Sequence, residues 1–109
     1  MNITPDEFNS LQQENINVFD LRSADEYAHG CLPGAVNITV SELLASPPDE
    51  KDKRVIVYCA RGFKSEDTAD ALCDMGYDAC GIKGGYAAWL RAEMKKQNAE
   101  LKKAEVEQS

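Results

Sequence analysis

The sequence predicts an α/β fold, a three-layer sandwich whose mainly parallel central sheet is flanked by helices. Helical and strand patterns alternate along the chain, which implies strands joined by helical crossovers. The run Val55-Ile56-Val57 places three β-branched residues in a row, as in a strand covered on both faces. At 109 residues the chain has room for one core and one domain.

The first helix starts at Thr4-Pro5-Asp6-Glu7, with Thr4 as the cap, Pro5 in the first helical position and Glu7 completing a capping box. Ile3 and Phe8 are spaced for a hydrophobic staple, and Phe8 and Leu11 face inward on a helix running to about Gln13. Ile16 to Leu21 alternates as a strand. Ser23-Ala24-Asp25-Glu26 repeats the capping box and opens a short helix over about residues 24–28. Leu32-Pro33-Gly34 turns into Ala35-Val36-Asn37-Ile38, read as a short buried strand. Ser41 to Leu44 opens another short helix, and a polar connection over residues 46–53 leads to the strand Arg54 to Tyr58.

Ser65 caps the next helix, which carries Ala69, Leu72 and Cys73 on one face and stops at Gly76. Ala79 to Ile82 is the last strand. Gly84-Gly85 then turns into a helix holding Tyr86, Trp89 and Leu90. The domain is expected over residues 1–91, with residues 92–109 as a polar C-terminal helical extension or tail.

A net charge of −7 argues against nucleic acid and anionic membrane surfaces as partners. The chain has no apolar run of about 18 residues that could cross a membrane, and its start lacks a basic region followed by an apolar stretch. A cytoplasmic location is therefore expected. The four cysteines, Cys31, Cys59, Cys73 and Cys80, match neither a zinc pattern nor a dense disulfide framework and are expected to be reduced. Cys73 and Cys80 read as small core fillers.

Cys59 differs from them. It stands where a buried strand meets a loop and a helix N-terminus, the carboxyl-end position at which parallel sheets bind ligands. Backbone N–H groups and the positive end of a helix dipole favour thiolate there. Residues 59–65 carry two cations, Arg61 and Lys64, and no acid, within an acidic chain. Cys59 thus reads as a nucleophile in an anion cradle. Gly62 supplies the backbone freedom that so tight a loop needs.

Cys59-Ala60-Arg61-Gly62-Phe63-Lys64-Ser65 resembles the active-site loop of the rhodanese family, the thiosulfate sulfurtransferases. Asp20-Leu21-Arg22-Ser23-Ala24-Asp25-Glu26-Tyr27 with Leu32-Pro33-Gly34-Ala35-Val36-Asn37-Ile38 resembles that family's N-terminal signature. Lys83-Gly84-Gly85-Tyr86-Ala87-Ala88-Trp89-Leu90 resembles its C-terminal one. The likeness covers roughly residues 3–92.

It implies a rhodanese-like fold and a sulfurtransferase that moves a sulfane sulfur through a Cys59 persulfide. The donor would be a small anion such as thiosulfate, and the acceptor a thiol, cyanide or a protein. Cys59 would be catalytic, Ala60, Arg61, Gly62, Phe63, Lys64 and Ser65 would bind substrate, and Asp20 and Arg22 would support the loop. No metal or organic cofactor is implied. The family often has a histidine where this chain has Cys31, so no role for that histidine transfers. His29 reads as a surface loop residue and Cys31 as an inert loop cysteine.

The alternatives differ in kind. A cysteine phosphatase of related design needs an arginine six places after the nucleophile to clamp phosphate, and Ser65 stands there. Arsenate and thiol–disulfide chemistry also begin from a low-pKa thiolate and stay open, although Cys59 has no Cys-X-X-Cys partner. The non-enzymatic alternative is a sulfur-carrier or regulatory binding module that delivers sulfur to a protein partner without turnover.

Overall fold

A computed structural model describes residues 2–11 and 15–108. The elements run β1 (Asn2–Ile3), α1 (Pro5–Ser10), β2 (Ile16–Asp20), α2 (Ala24–His29), β3 (Val36–Asn37), α3 (Val40–Ala45), β4 (Arg54–Tyr58), α4 (Phe63–Asp74), β5 (Ala79–Ile82) and α5 (Gly85–Gln108). The strands form one five-stranded parallel sheet in the order β1-β5-β4-β2-β3. The α/β sandwich expected from the alternation of patterns is the fold observed.

β4 lies at the centre of the sheet, and its side chains alternate between two cores. Val55 and Val57 join Leu43 of α3 and Ala69 and Leu72 of α4 on one face. Ile56 and Tyr58 join Phe8 of α1 on the other, with Tyr27, Tyr86 and Trp89 packed against them. Every residue from Val55 to Tyr58 is fully buried, as expected for a central parallel strand. Cys59 follows at the carboxyl end, where the chain leaves the sheet.

Both capping boxes are present: Thr4 with Glu7, and Ser23 with Glu26. Gln13, the expected end of α1, lies outside the described residues. Four expectations need correction. The chain begins with strand β1, whose Asn2 and Ile3 pair with Gly81 and Ile82; two residues are too few to show a period. The strand read over residues 35–38 is only Val36–Asn37, and it is a sheet edge with Val36 55% exposed rather than buried. α3 is capped by Thr39 and so begins at Val40, ahead of Ser41. Cys80 is buried but Cys73 is exposed, so only one of the two is a core filler.

α5 continues without a break from Gly85 to Gln108. Trp89 is partly buried against the core, and its indole N–H donates to Asn9 Oδ1 at 3.0 Å. Leu90, grouped with it from the sequence, is 40% exposed.

Candidate active site

Gly62, with φ +93°, is the N-cap of α4, and the helix starts at Phe63. Ser65 is therefore not the cap expected from the sequence. It lies in the first helical turn, fully buried, with its hydroxyl turned back into the loop. That hydroxyl donates to the Gly62 carbonyl at 3.2 Å and lies 3.7 Å from Cys59 Sγ. A serine in a first turn can bond locally in either way, so the sequence alone does not separate cap from cradle.

Cys59 is 7% exposed. Its sulfur accepts the Gly62 N–H at 3.1 Å. Burial by itself pushes the thiol pKa up, but the Ser65 N–H and hydroxyl and the N–H groups of Gly62 and Lys64 outweigh it, so the net direction is down. Burial is the largest single influence, and the donors prevail only together. Arg61 and Lys64 are exposed, where water screens their charge. Neither is part of the buried floor of the site.

Two of the loop's carbonyls are held by α5. Cys59 O accepts the Tyr86 N–H at 2.9 Å and Ala60 O accepts the Ala87 N–H at 3.1 Å, both from the first turn of α5. Of the seven loop residues, the structure thus brings Cys59, Gly62, Lys64 and Ser65 together around the sulfur through their backbone or hydroxyl groups, while Ala60 is tied backward to α5. Phe63 contributes its backbone to the start of α4.

Beneath this loop lies a buried polar network. Asp20 is fully buried and takes the Arg22 guanidinium through Nε and Nη2, at distances down to 2.7 Å. Arg22 also donates to the Gly30 carbonyl. Tyr58, the residue before Cys59, donates its hydroxyl to Asp20 Oδ2 at 2.6 Å and accepts the Leu32 N–H at 3.1 Å. Burial and the bond to Asp20 drive the Tyr58 phenol pKa upward, so it stays protonated. Burial works against the charge of Arg22, yet its bonds and attraction to Asp20 raise its pKa.

Asp20 and Arg22 therefore join the ends of β2 and β4 to the α2–β3 connection, one residue away from the nucleophile. The Arg22 guanidinium also sits 4.0 Å from the centre of the Tyr86 ring. Neither Tyr58 nor Tyr86 is given a role at the site by the sequence. The available signal was that a buried tyrosine at a strand end must find a partner for its hydroxyl. Cys31 is partly buried; His29 is exposed as expected, but it is the last residue of α2 and not part of a loop.

A family model described as the rhodanese-like domain matches residues 4–92. The chain belongs to the rhodanese-like domain family. The match ends within α5, which continues to Gln108.

Similar rhodanese-domain proteins bear sulfurtransferase names. Thiosulfate sulfurtransferase GlpE of Shewanella oneidensis is 29% identical over 84 residues, spanning 74% of this chain and 82% of the relative. Human thiosulfate:glutathione sulfurtransferase is 32% identical over 92 residues, spanning 70% of this chain and 80% of the relative. A crystal structure of a rhodanese-related protein from Thermoplasma volcanium matches with a TM-score of 0.75 at 26% identity, over 84% of this chain and 91% of that one.

Proposed function

We propose that this rhodanese-like protein is a sulfurtransferase in which Cys59 carries the sulfur. The observation that supports this reading best is the set of N–H and hydroxyl donors around a thiol whose own carbonyl, with that of Ala60, is taken by α5. The Cys59 thiolate attacks the outer sulfur of thiosulfate. The S–S bond of the donor breaks, sulfite leaves with the electron pair, and a Cys59 persulfide remains. An acceptor thiolate or cyanide then attacks the outer sulfur of that persulfide. The Sγ–S bond breaks, Cys59 regains its thiolate, and a new persulfide or thiocyanate departs. No electron is gained or lost overall, so no cofactor is needed.

The donors act on charge. The outer sulfur of the persulfide is anionic, and fixed N–H dipoles stabilise it without reorganising. The Ser65 hydroxyl has one proton. It serves Gly62 O when Cys59 is protonated and can swing to the sulfur when Cys59 is ionised. Arg61 and Lys64, both exposed, favour the approach of an anionic donor to an acidic protein.

The reading takes residues 1–91 as the transferase domain and the rest of α5 as an extension. It also includes a cytoplasmic setting, where thiols stay reduced. The deciding experiment is mass spectrometry of the Cys59 peptide after thiosulfate treatment, followed by turnover with cyanide. One added sulfur on Cys59 and turnover abolished in Cys59→Ser are the expected results. Absence of added sulfur overturns the reading. Uptake with release to a single protein only would favour the carrier module instead.

A further inference from the structure

An anion cradle needs more than inward N–H groups: it needs the carbonyls of the same loop held away from the charge. In this loop each of three carbonyls has its own restraint. Gly62 O is taken by the Ser65 hydroxyl. Cys59 O and Ala60 O are taken by the N–H groups of Tyr86 and Ala87, which open α5. A trans peptide sets N–H opposite to C=O, and no peptide here is cis. Drawing those two carbonyls back onto α5 therefore turns the N–H groups of Ala60 and Arg61 away from α5.

This contact depends on how α5 begins. Gly84 and Gly85 are consecutive left-handed residues, with φ +75° and +64°. They let the first helical turn lie directly against the loop backbone. A β-carbon on Gly85 would fall 2.4 Å from Cys59 O, 2.8 Å from Gly62 N and 2.9 Å from the Ala60 carbonyl carbon. All three are main-chain atoms of the loop, so no rotamer change relieves the clash. Gly62 faces the same contact from the other side: its own β-carbon would meet Gly84 N at 3.3 Å and Gly85 N at 3.4 Å.

We infer that Gly85, with the Tyr86 and Ala87 N–H groups it presents, positions the Cys59 loop for sulfur chemistry by holding the Cys59 and Ala60 carbonyls off the thiolate. Gly85 touches no reacting atom and acts through the loop. The inference rests on the reading of Cys59 as the sulfur-carrying nucleophile, but its test is separate from that reading.

The test is the pH profile of Cys59 alkylation by iodoacetamide, read on the Cys59 peptide, in three variants whose folding is checked by circular dichroism. Gly85→Ala forces the loop off α5. Ala87→Pro deletes a single N–H donor from an exposed residue in a first helical turn, where proline is tolerated. Ala87→Gly keeps that N–H while loosening the helix.

The expected result is a profile displaced toward higher pH in Gly85→Ala and Ala87→Pro, with alkylation near neutral pH slowed about tenfold and the rate at high pH unchanged. Ala87→Gly should keep the parent profile. Folded Ala87→Pro with the parent profile overturns the inference, as does Ala87→Gly displaced equally, since that would trace the effect to helix stability. If Gly85→Ala does not fold, the two Ala87 variants decide alone. A displaced profile in a protein that takes no sulfur from thiosulfate would sink the sulfurtransferase reading and leave the positioning intact.

Discussion

The Gly62 N–H donates to Cys59 Sγ at 3.1 Å from a residue held at φ +93°. One glycine thus caps α4, makes the turn and supplies a donor to the thiol. Replacing it by alanine imposes a left-handed penalty of about 1–2 kcal/mol. It also brings a β-carbon to 3.3 Å from Gly84 N and 3.4 Å from Ile82 O. Gly62→Ala should therefore remain folded, with a modest fall in the urea midpoint, and lose most sulfur transfer. Turnover equal to the parent would show that this donor is dispensable.

The lowered Cys59 pKa makes a prediction about stability as well as reactivity. A thiol ionises near pH 8.5 in an unfolded chain, and the folded state favours the thiolate beyond that. The resulting stabilisation is complete above the unfolded value and is lost as pH falls through the folded one. Cys59→Ser has no thiolate, so the stability gap between parent and variant should widen from pH 6 to pH 9. Thermal melts across that range measure it. A gap that is flat, or that narrows with rising pH, would mean that the cradle does not favour the anion.

Arg61 and Lys64 stand exposed beside a buried thiol, a placement suited to long-range attraction. Neutralising both, as Arg61→Gln with Lys64→Gln, should raise KM for thiosulfate about three- to tenfold while changing kcat little. The increase should shrink with added salt, because exposed charges are screened over about 8 Å at physiological ionic strength. An equal rise for an uncharged sulfur donor would show that these side chains shape the site instead of attracting anions.

Much of the site could be read because its signals are local. β-branched residues up to Tyr58, then a cysteine, a glycine and a helical pattern, are consecutive in the chain and specify strand, turn and helix together. Gly62 and Ser65 could be placed in the loop for that reason, although which of them caps the helix depended on backbone angles. The support around the loop comes from distant segments. Asp20 meets Tyr58 across adjacent parallel strands, where their register puts them side by side, and α5 reaches the loop only after the sheet is assembled. No periodicity encodes which carbonyl a helix N-terminus will take. β1 was hidden by its length, since Ile3 served equally well as a staple residue or as an edge strand partner. Cys73 is one residue past the buried Leu72, about 100° further round the helix, so it leaves the core face and its thiol donates to the Ala79 carbonyl.

Tyr58 offers the sharpest separation of structural support from chemistry. Its hydroxyl is buried, donating to Asp20 at 2.6 Å and accepting from Leu32 at 3.1 Å. Tyr58→Phe keeps the ring but leaves the Leu32 N–H without that acceptor and removes one donor from a buried carboxylate. Arg22 still neutralises Asp20, so the expected loss is about 1–3 kcal/mol in urea unfolding, smaller than a buried unpaired charge would cost. The phenol pKa is raised by folding; its contribution is complete below the unfolded value of about 10 and fades as pH rises beyond it. The stability gap between parent and Tyr58→Phe should therefore be constant through neutral pH and narrow in strong alkali. The Cys59 alkylation profile should stay near the parent's, because the Gly62 and Ser65 donors do not depend on the phenol. A loss below about 0.5 kcal/mol would show that water takes over both bonds, and a displaced alkylation profile would tie the network directly to the thiol.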